Sequence, residues 1–285
     1  MIHPVRIAHR GASGEGLAPE NTLAAFELAI ELGVDLIELD VQQTGDGRLV
    51  VIHDPTLDRT TDLSGAVSEK TLAEIRRGDA GSWCSPRFRG ERVPLLEEVL
   101  ELARRRVLSL VEIKARHIAE RVVQVVEELG MEDQVVIQSF APQTVRRVKL
   151  LAPALPAALL VSALPTTPAR IRVRRLAREV LEAGANALGI WHAALTPALL
   201  EEMRQRSIGV WAWTVDDEIV MRDLALVGVQ GLITNYPDRL NQVLGELEGE
   251  GGLRAPLGRR RRLPQSRWGR RRQLKKLRRR AEPDS

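Results

Sequence analysis

A chain of 285 residues, 44% hydrophobic and 28% charged, has the apolar content for one large or two small packed domains and excludes a fibrous or wholly disordered protein. Its one cysteine, Cys84, excludes an internal disulfide and fits a reducing compartment. The net charge of +4 is uneven: the segment from Gly249 to the end carries 14 basic and three acidic side chains, leaving 28 basic against 35 acidic in the rest.

The N-terminal "MIHPVRIAHRG" has no apolar run of the kind that marks a secretory signal. The first β-rich stretch, "VRIAH" (5–9), ends on His9 and Arg10. A helical period follows from Thr22 to Leu32, and Asn21 before it reads either as its N-cap or as a residue supporting the site. In "DLIELDV" (35–41) the apolar residues fall on both parities, as in a parallel strand covered on both faces, so Glu38 and Asp40, two apart, share one face of an enclosed segment. Two enclosed carboxylates repel unless a cation neutralises them or one keeps its proton. After "TGDGR" the chain returns through "LVVIH", and so short a link joins antiparallel strands, which brings His53 back toward Glu38 and Asp40. Residues 55–94 then read as an insertion with a short helix around Glu69 to Arg76 and loops that cover the mouth.

Further β-rich runs lie at 107–114, 135–140, 157–161, 187–191, 209–215 and 231–234, separated by amphipathic stretches at 118–129, 142–151, 168–183, 197–206 and 218–227, with a last helix from Pro237. "APALPAALLVSALP" is too short and too broken by proline to span a bilayer, and the cytoplasm is the expected location. From Gly249 onward the arginine blocks, glycines and prolines predict a tail with no fold of its own. Its residues 254–280 are either merely solvated or suited to an anionic partner, RNA or an acidic membrane surface.

Roughly eight strand–helix units in about 248 residues predict an α/β fold of the (β/α)8 TIM-barrel type, with a doubly wound open sheet as the alternative. In such a barrel the carboxyl ends of the strands form the site. That places His9 and Arg10 after strand one, Glu38 and Asp40 on strand two, and Glu112 and Lys114, again two apart, on strand three. Glu38, Asp40 and Glu112 are hard oxygen ligands suited to Mg²⁺ or Ca²⁺. His9 and His53 offer proton transfer, Arg10 and Lys114 anion binding, and the set as a whole suits a phosphate ester.

The stretch "HRGASGEGLAPENTLAAFELAIELGVDLIELDVQQTGDGRLVVIHDPTLDRTT", with "PLLEEVL", "VEIK", "QSF", "WTV" and "GLITNYP" following in order, resembles the glycerophosphodiester phosphodiesterase family over about residues 5–244. The resemblance implies a TIM barrel that hydrolyses glycerophosphodiesters to an alcohol and sn-glycerol 3-phosphate, in phospholipid and glycerol metabolism, with a divalent cation. It implies His9 and His53 as the paired histidines, Glu38, Asp40 and Glu112 as metal carboxylates, and Arg10 and Lys114 as phosphate contacts. Glu20 becomes a partner that orients Arg10 or the metal site, and Trp213 a wall of the glycerol pocket. Asp54 is expected to orient His53 or cap the turn. His9 is read as base and His53 as acid, with water or a neighbouring glycerol hydroxyl as nucleophile. The sequence departs from the family pattern at Asp216, where asparagine is common, and at Gln230 and Asn235, where acids are usual. Two readings from other classes stand beside this one: a lysophospholipase D-like enzyme recruited to membranes by the tail, and a non-enzymatic RNA-binding protein. Oligomeric state is not legible.

Overall fold

The computed structural model describes residues 3–163 and 169–249. The expected basic tail, apart from Gly249 at its start, and its RNA or membrane contacts lie outside the described residues.

In chain order the elements are β1 (Val5–Ala8), α1 (Leu23–Glu31), β2 (Leu36–Gln43), β3 (Leu49–Val51), α2 (Leu72–Ile75), α3 (Leu96–Ala103), β4 (Leu108–Ile113), α4 (Ala119–Glu128), β5 (Val135–Ser139), α5 (Pro142–Leu151), β6 (Ala157–Val161), α6 (Ala169–Glu182), β7 (Ala187–Trp191), α7 (Pro197–Arg204), β8 (Gly209–Trp213), α8 (Glu218–Val227), β9 (Gly231–Thr234) and α9 (Pro237–Gly249). The sheet runs β1-β9-β8-β7-β6-β5-β4-β2-β3, and β1 pairs in parallel with β2 as well as β9. That second pairing closes the eight parallel strands into a TIM barrel and sets aside the open sheet. β3 stands outside the ring, antiparallel to β2.

Side-chain parity positions the site. Ile7, Leu36, Leu110 and Ile233 form one cluster with Val5, Val136, Trp211 and Trp213. The other parity, Ile37, Leu39, Val111, Ile113 and Ile137, packs with Phe26 of α1, Val99 and Leu100 of α3 and Val122 of α4. The first set fills the barrel and the second joins it to the helices. With a period of two, Glu38 and Asp40 continue the inward row of Leu36, Glu112 and Lys114 that of Leu110, Gln138 that of Val136, and Trp213 that of Trp211. Hydrophobic layers fill the barrel below, and polar layers crown it at the carboxyl end.

Three expectations are corrected. Thr22, not Asn21, caps α1, accepting from the Ala25 N–H, because Asn21 is held at φ 57 and its side chain is turned to Asp40. The expected helix at 69–76 is a 3₁₀ turn at Val67–Glu69 followed by α2, since Thr71 starts a fresh capping box with Glu74. β2 runs two residues past the expected end, because β3 supplies partners for Gln42 and Gln43. The insertion has its own small core of Val50, Ile52, Leu57, Val67, Ile75, Ala80 and Val93.

Gly11 lets the loop after β1 pass against α1. Its φ is +81°, and a Cβ there would lie 2.6 Å from the Ala25 carbonyl carbon. Gly11→Ala therefore combines a left-handed penalty of about 1–2 kcal/mol with an overpacking cost of about 1–3 kcal/mol. A drop of about 2–5 kcal/mol in unfolding free energy is expected from urea titration, and an unchanged midpoint would refute the contact.

Candidate active site

The loop after β1 starts the site. The His9 N–H donates to the Thr234 carbonyl at 2.8 Å, which fixes His9 beside the end of β9. Arg10 follows at φ 57, an uncommon conformation for a side chain of its size. That turn aims the Arg10 N–H at Glu38 Oε2, 3.0 Å away. Its guanidinium lies 2.8 Å from Glu20 Oε1 and 3.2 Å from Asp40 Oδ2.

Glu38, Asp40 and Glu112 converge. One oxygen from each lies within 4.8 Å of the others, and all three residues are buried. β2 and β4 run in register with Asp40 opposite Glu112, so strand pairing places two of the three side by side. Gln138 of β5 donates to Glu38 Oε1 at 3.0 Å, and Asn21 to Asp40 Oδ2 at 2.9 Å. Lys114 Nζ is 2.8 Å from Glu112 Oε1 and 3.3 Å from Asp40 Oδ1. Burial, then repulsion from Asp40 and Glu112, pushes the Glu38 carboxyl well above its usual range. Burial and Asp40 raise Glu112 to about 7. Burial also works against ionised Asp40, but Arg10 and Lys114 outweigh it and hold that carboxyl below its ordinary value. Closely spaced, buried oxygen donors, of which Glu38 and Glu112 have raised affinities for a proton, fit a hard divalent cation, which would replace the proton and offset the repulsion.

The hairpin brings in the second histidine. The Ile52 N–H donates to the Asp40 carbonyl at 2.9 Å, and Gln42 Nε2 donates to the His53 carbonyl at 3.2 Å. His53 Nδ1 sits 2.6 Å from Asp54 Oδ1. Asp54 is in turn held by Arg59 Nε at 2.6 Å, and the other nitrogens of Arg59 grip both oxygens of Glu20 at 2.8 Å. Asp54 thus orients His53, and Glu20 joins Arg10 to Arg59. Hydrogen bonding to Arg59 takes the Asp54 carboxyl down to about 2.

His9 is set differently. Its Nδ1 is 2.7 Å from Asn235 Oδ1, an amide oxygen rather than a carboxylate. Burial and then Arg10 lower its pKa from 6.5 to about 4, against the opposing pull of Asp40 and Glu20. Burial also lowers His53, where Asp40 and Asp54 pull upward and Arg10 and Lys114 downward. A histidine with a depressed folded pKa stabilises fully above its unfolded value and loses that contribution as pH falls toward the folded one. Between pH 6.5 and about 4 the His9 contribution to be lost is at most about 3 kcal/mol. Thermal melts should fall more steeply over that window for wild type than for His9→Gln, and parallel curves would refute the shift.

Trp213 lies where expected, at the mouth end of β8, edge-on to Phe140 at 5.5 Å between ring centroids. Its indole nitrogen is buried without a partner among the described residues. His3 and His117 are exposed. Gln138, Arg59 and the pairing of Asp216 with Asn235 are the site contacts the sequence reading missed. Gln138 had a signal, as the inward residue of "VVIQS" beside Glu112, whereas Arg59 and Asn235 reach their partners across 39 and 226 residues. Two family departures, at 216 and 235, meet in space: Asn235 Nδ2 is 2.7 Å from Asp216 Oδ2.

Comparison with known proteins agrees with this geometry. The model of the glycerophosphoryl diester phosphodiesterase family matches residues 9–239. A glycerophosphodiester phosphodiesterase of Caldanaerobacter subterraneus subsp. tengcongensis is 40% identical over 240 residues, covering 82% of this chain and 95% of that protein. One from Bacillus subtilis is 35% identical over 264 residues, covering 85% and 88%. Among solved structures, a glycerophosphodiester phosphodiesterase from Agrobacterium tumefaciens superposes with TM-score 0.73 at 32% identity, over 84% of this chain and 99% of that one. A phosphodiesterase from Oleispira antarctica, in complex with the product sn-glycerol-3-phosphate, superposes with TM-score 0.77 at 29% identity, over 85% and 97%. Barrel, carboxylate cluster and sequence together place the chain in the glycerophosphodiester phosphodiesterase family.

Proposed function

We propose that the protein hydrolyses glycerophosphodiesters to an alcohol and sn-glycerol 3-phosphate, with Glu38, Asp40 and Glu112 holding Mg²⁺ or Ca²⁺. The observation that carries the reading is the convergence of these carboxylates with two differently partnered histidines and two cations at one barrel mouth. The cation, when bound, supplies charge stabilisation to a phosphoryl oxygen. Arg10 and Lys114 bind the phosphate's other negative oxygens and offset the charge that builds up as the phosphorus is attacked. Glu20 keeps the Arg10 guanidinium in place for that contact.

Partner chemistry divides the histidines. His9, neutral and paired to an amide, takes the proton from the attacking oxygen, whether of water or of the neighbouring glycerol hydroxyl. His53 faces a carboxylate that stabilises its imidazolium, and it gives a proton to the alcohol oxygen as the phosphorus–oxygen bond breaks. Trp213, with Phe140 at its edge, provides an apolar wall for the glycerol carbons and an indole N–H for a hydroxyl.

The test is product analysis. Purified protein with added Mg²⁺ or Ca²⁺ should release sn-glycerol 3-phosphate from glycerophosphocholine and glycerophosphoethanolamine, read by a coupled dehydrogenase. Faster release of choline from lysophosphatidylcholine, which leaves the acylated glycerol phosphate, would favour the lysophospholipase D-like reading, and no release of sn-glycerol 3-phosphate or of choline from any of the three would overturn the proposal.

A further inference from the structure

The contacts behind His9 form a chain in which the orientation of the Asn235 amide, and with it the place of the ring hydrogen, is fixed. Asp216 Oδ1 accepts from the Asn235 backbone N–H at 2.9 Å and from the Thr234 hydroxyl at 3.1 Å. Its second oxygen lies 2.7 Å from the Asn235 side-chain nitrogen. An ionised carboxylate only accepts, so the Asn235 amide must turn its NH₂ toward Asp216 and its oxygen toward His9. The reversed amide would set oxygen against oxygen at Asp216, where neither atom carries a hydrogen. Ser13 Oγ lies 3.0 Å from that same amide oxygen and 2.7 Å from the His9 carbonyl. With an acceptor fixed 2.7 Å from its Nδ1, neutral His9 must carry its hydrogen there, which leaves the Nε2 lone pair as the only proton acceptor on the ring. Free neutral histidine prefers the opposite tautomer, so the protein imposes this one.

We propose that Asn235 and Asp216 are positioning residues that set the tautomer of His9: Asp216 fixes which way the Asn235 amide faces, and Asn235 holds the hydrogen on Nδ1 so that Nε2 can act as base. The inference rests on the reading of His9 as the proton acceptor. Neither residue touches the substrate. A carboxamide does here, for the neutral ring, what a buried carboxylate does for the histidine of a hydrolytic triad, but without adding a negative charge next to it. His53, with Asp54 in that position, has the charge instead.

The decisive variant is Asp216→Asn, two hydrogen bonds away from His9. The oxygen of the introduced amide is claimed by the Asn235 backbone N–H and the Thr234 hydroxyl, which leaves its NH₂ facing that of Asn235. Asn235 must then reverse, present its own NH₂ to His9 and force the hydrogen onto Nε2. Side-chain ¹⁵N spectra of labelled full-length protein with Mg²⁺ present, the His9 signals assigned by their loss in His9→Gln, should show Nδ1–H in wild type and Nε2–H in Asp216→Asn. Turnover of glycerophosphocholine should fall by about 10²-fold or more, the usual worth of a general base, with KM nearly unchanged. The double exchange Asp216→Asn/Asn235→Asp again puts every donor opposite an acceptor. It should recover the Nδ1–H signature and bring kcat back to within about tenfold of wild type, allowing for the charge now beside the ring. An unchanged His9 tautomer in folded Asp216→Asn, or a folded double variant that lacks the Nδ1–H signature, overturns the proposal. The nitrogen spectra do not depend on substrate, so they decide the tautomer even if glycerophosphodiesters prove not to be hydrolysed.

Discussion

Chelation of divalent cations should take hydrolysis down by at least about 10²-fold, the cost of removing a charge clamp from a developing phosphoryl oxyanion, and added Mg²⁺ or Ca²⁺ should restore it. The expectation follows from the energetic state of the carboxylates. Burial and mutual repulsion raise Glu38 well above the ordinary range and Glu112 to about 7, while Arg10 and Lys114 keep Asp40 ionised. A dication reverses that balance, because each raised pKa becomes a gain in metal affinity once the proton is displaced. The same binding must stabilise the fold by mass action, by about 2.7 kcal/mol at a hundredfold excess over Kd. Rate and melting temperature should therefore rise together as metal is titrated into stripped protein, and Asp40→Asn should weaken both responses. Full activity in excess EDTA after dialysis would remove the metal from the reaction.

Loss of either histidine should lower kcat by about 10²- to 10⁴-fold without unfolding the protein, as expected for a positioned acid or base. The two variants should differ in how they respond to the leaving group. A glycerol phosphodiester of p-nitrophenol releases an anion that needs no proton, so His53→Ala should recover most of its activity on that substrate. His9→Ala should remain slow on it, since the attacking oxygen still has a proton to lose. The opposite pattern would exchange the two roles. Equal deficits on both substrates would mean that neither residue is dedicated to the leaving oxygen.

Much of this arrangement is local in the chain and therefore legible in it. The period-two spacing of "IELD" and "VEIK" places Glu38, Asp40, Glu112 and Lys114 on the inward face before any strand is drawn, and a five-residue turn suffices to return His53 to the mouth. Barrel closure is another matter. It rests on the pairing of β1 with both β2 and β9, and β9 lies more than two hundred residues away, beyond the reach of any periodicity. Asn21 shows how a propensity rule fails in a particular place. Asparagine is a good N-cap, but here Asp40 claims its side chain and a left-handed backbone removes it from the capping position, so Thr22 takes over. Arg59 and Asn235 read as ordinary polar loop residues until the fold brings their partners to them.

Arg59 has a consequence for motion. It belongs to the insertion, yet its guanidinium joins Asp54 behind His53 to Glu20, which in turn clasps Arg10 on the loop after β1. Opening of the insertion would take Arg59 from Asp54 and Glu20 in one event, loosening the support of the His53 imidazole and one side of the clasp on Arg10, whose guanidinium still meets Asp40. The free energies of local opening at these two places are thereby coupled. A fluctuation that withdraws Arg59 loosens both places at once, so arrangements with only one of the two side chains held are depopulated relative to fully open or fully closed ones.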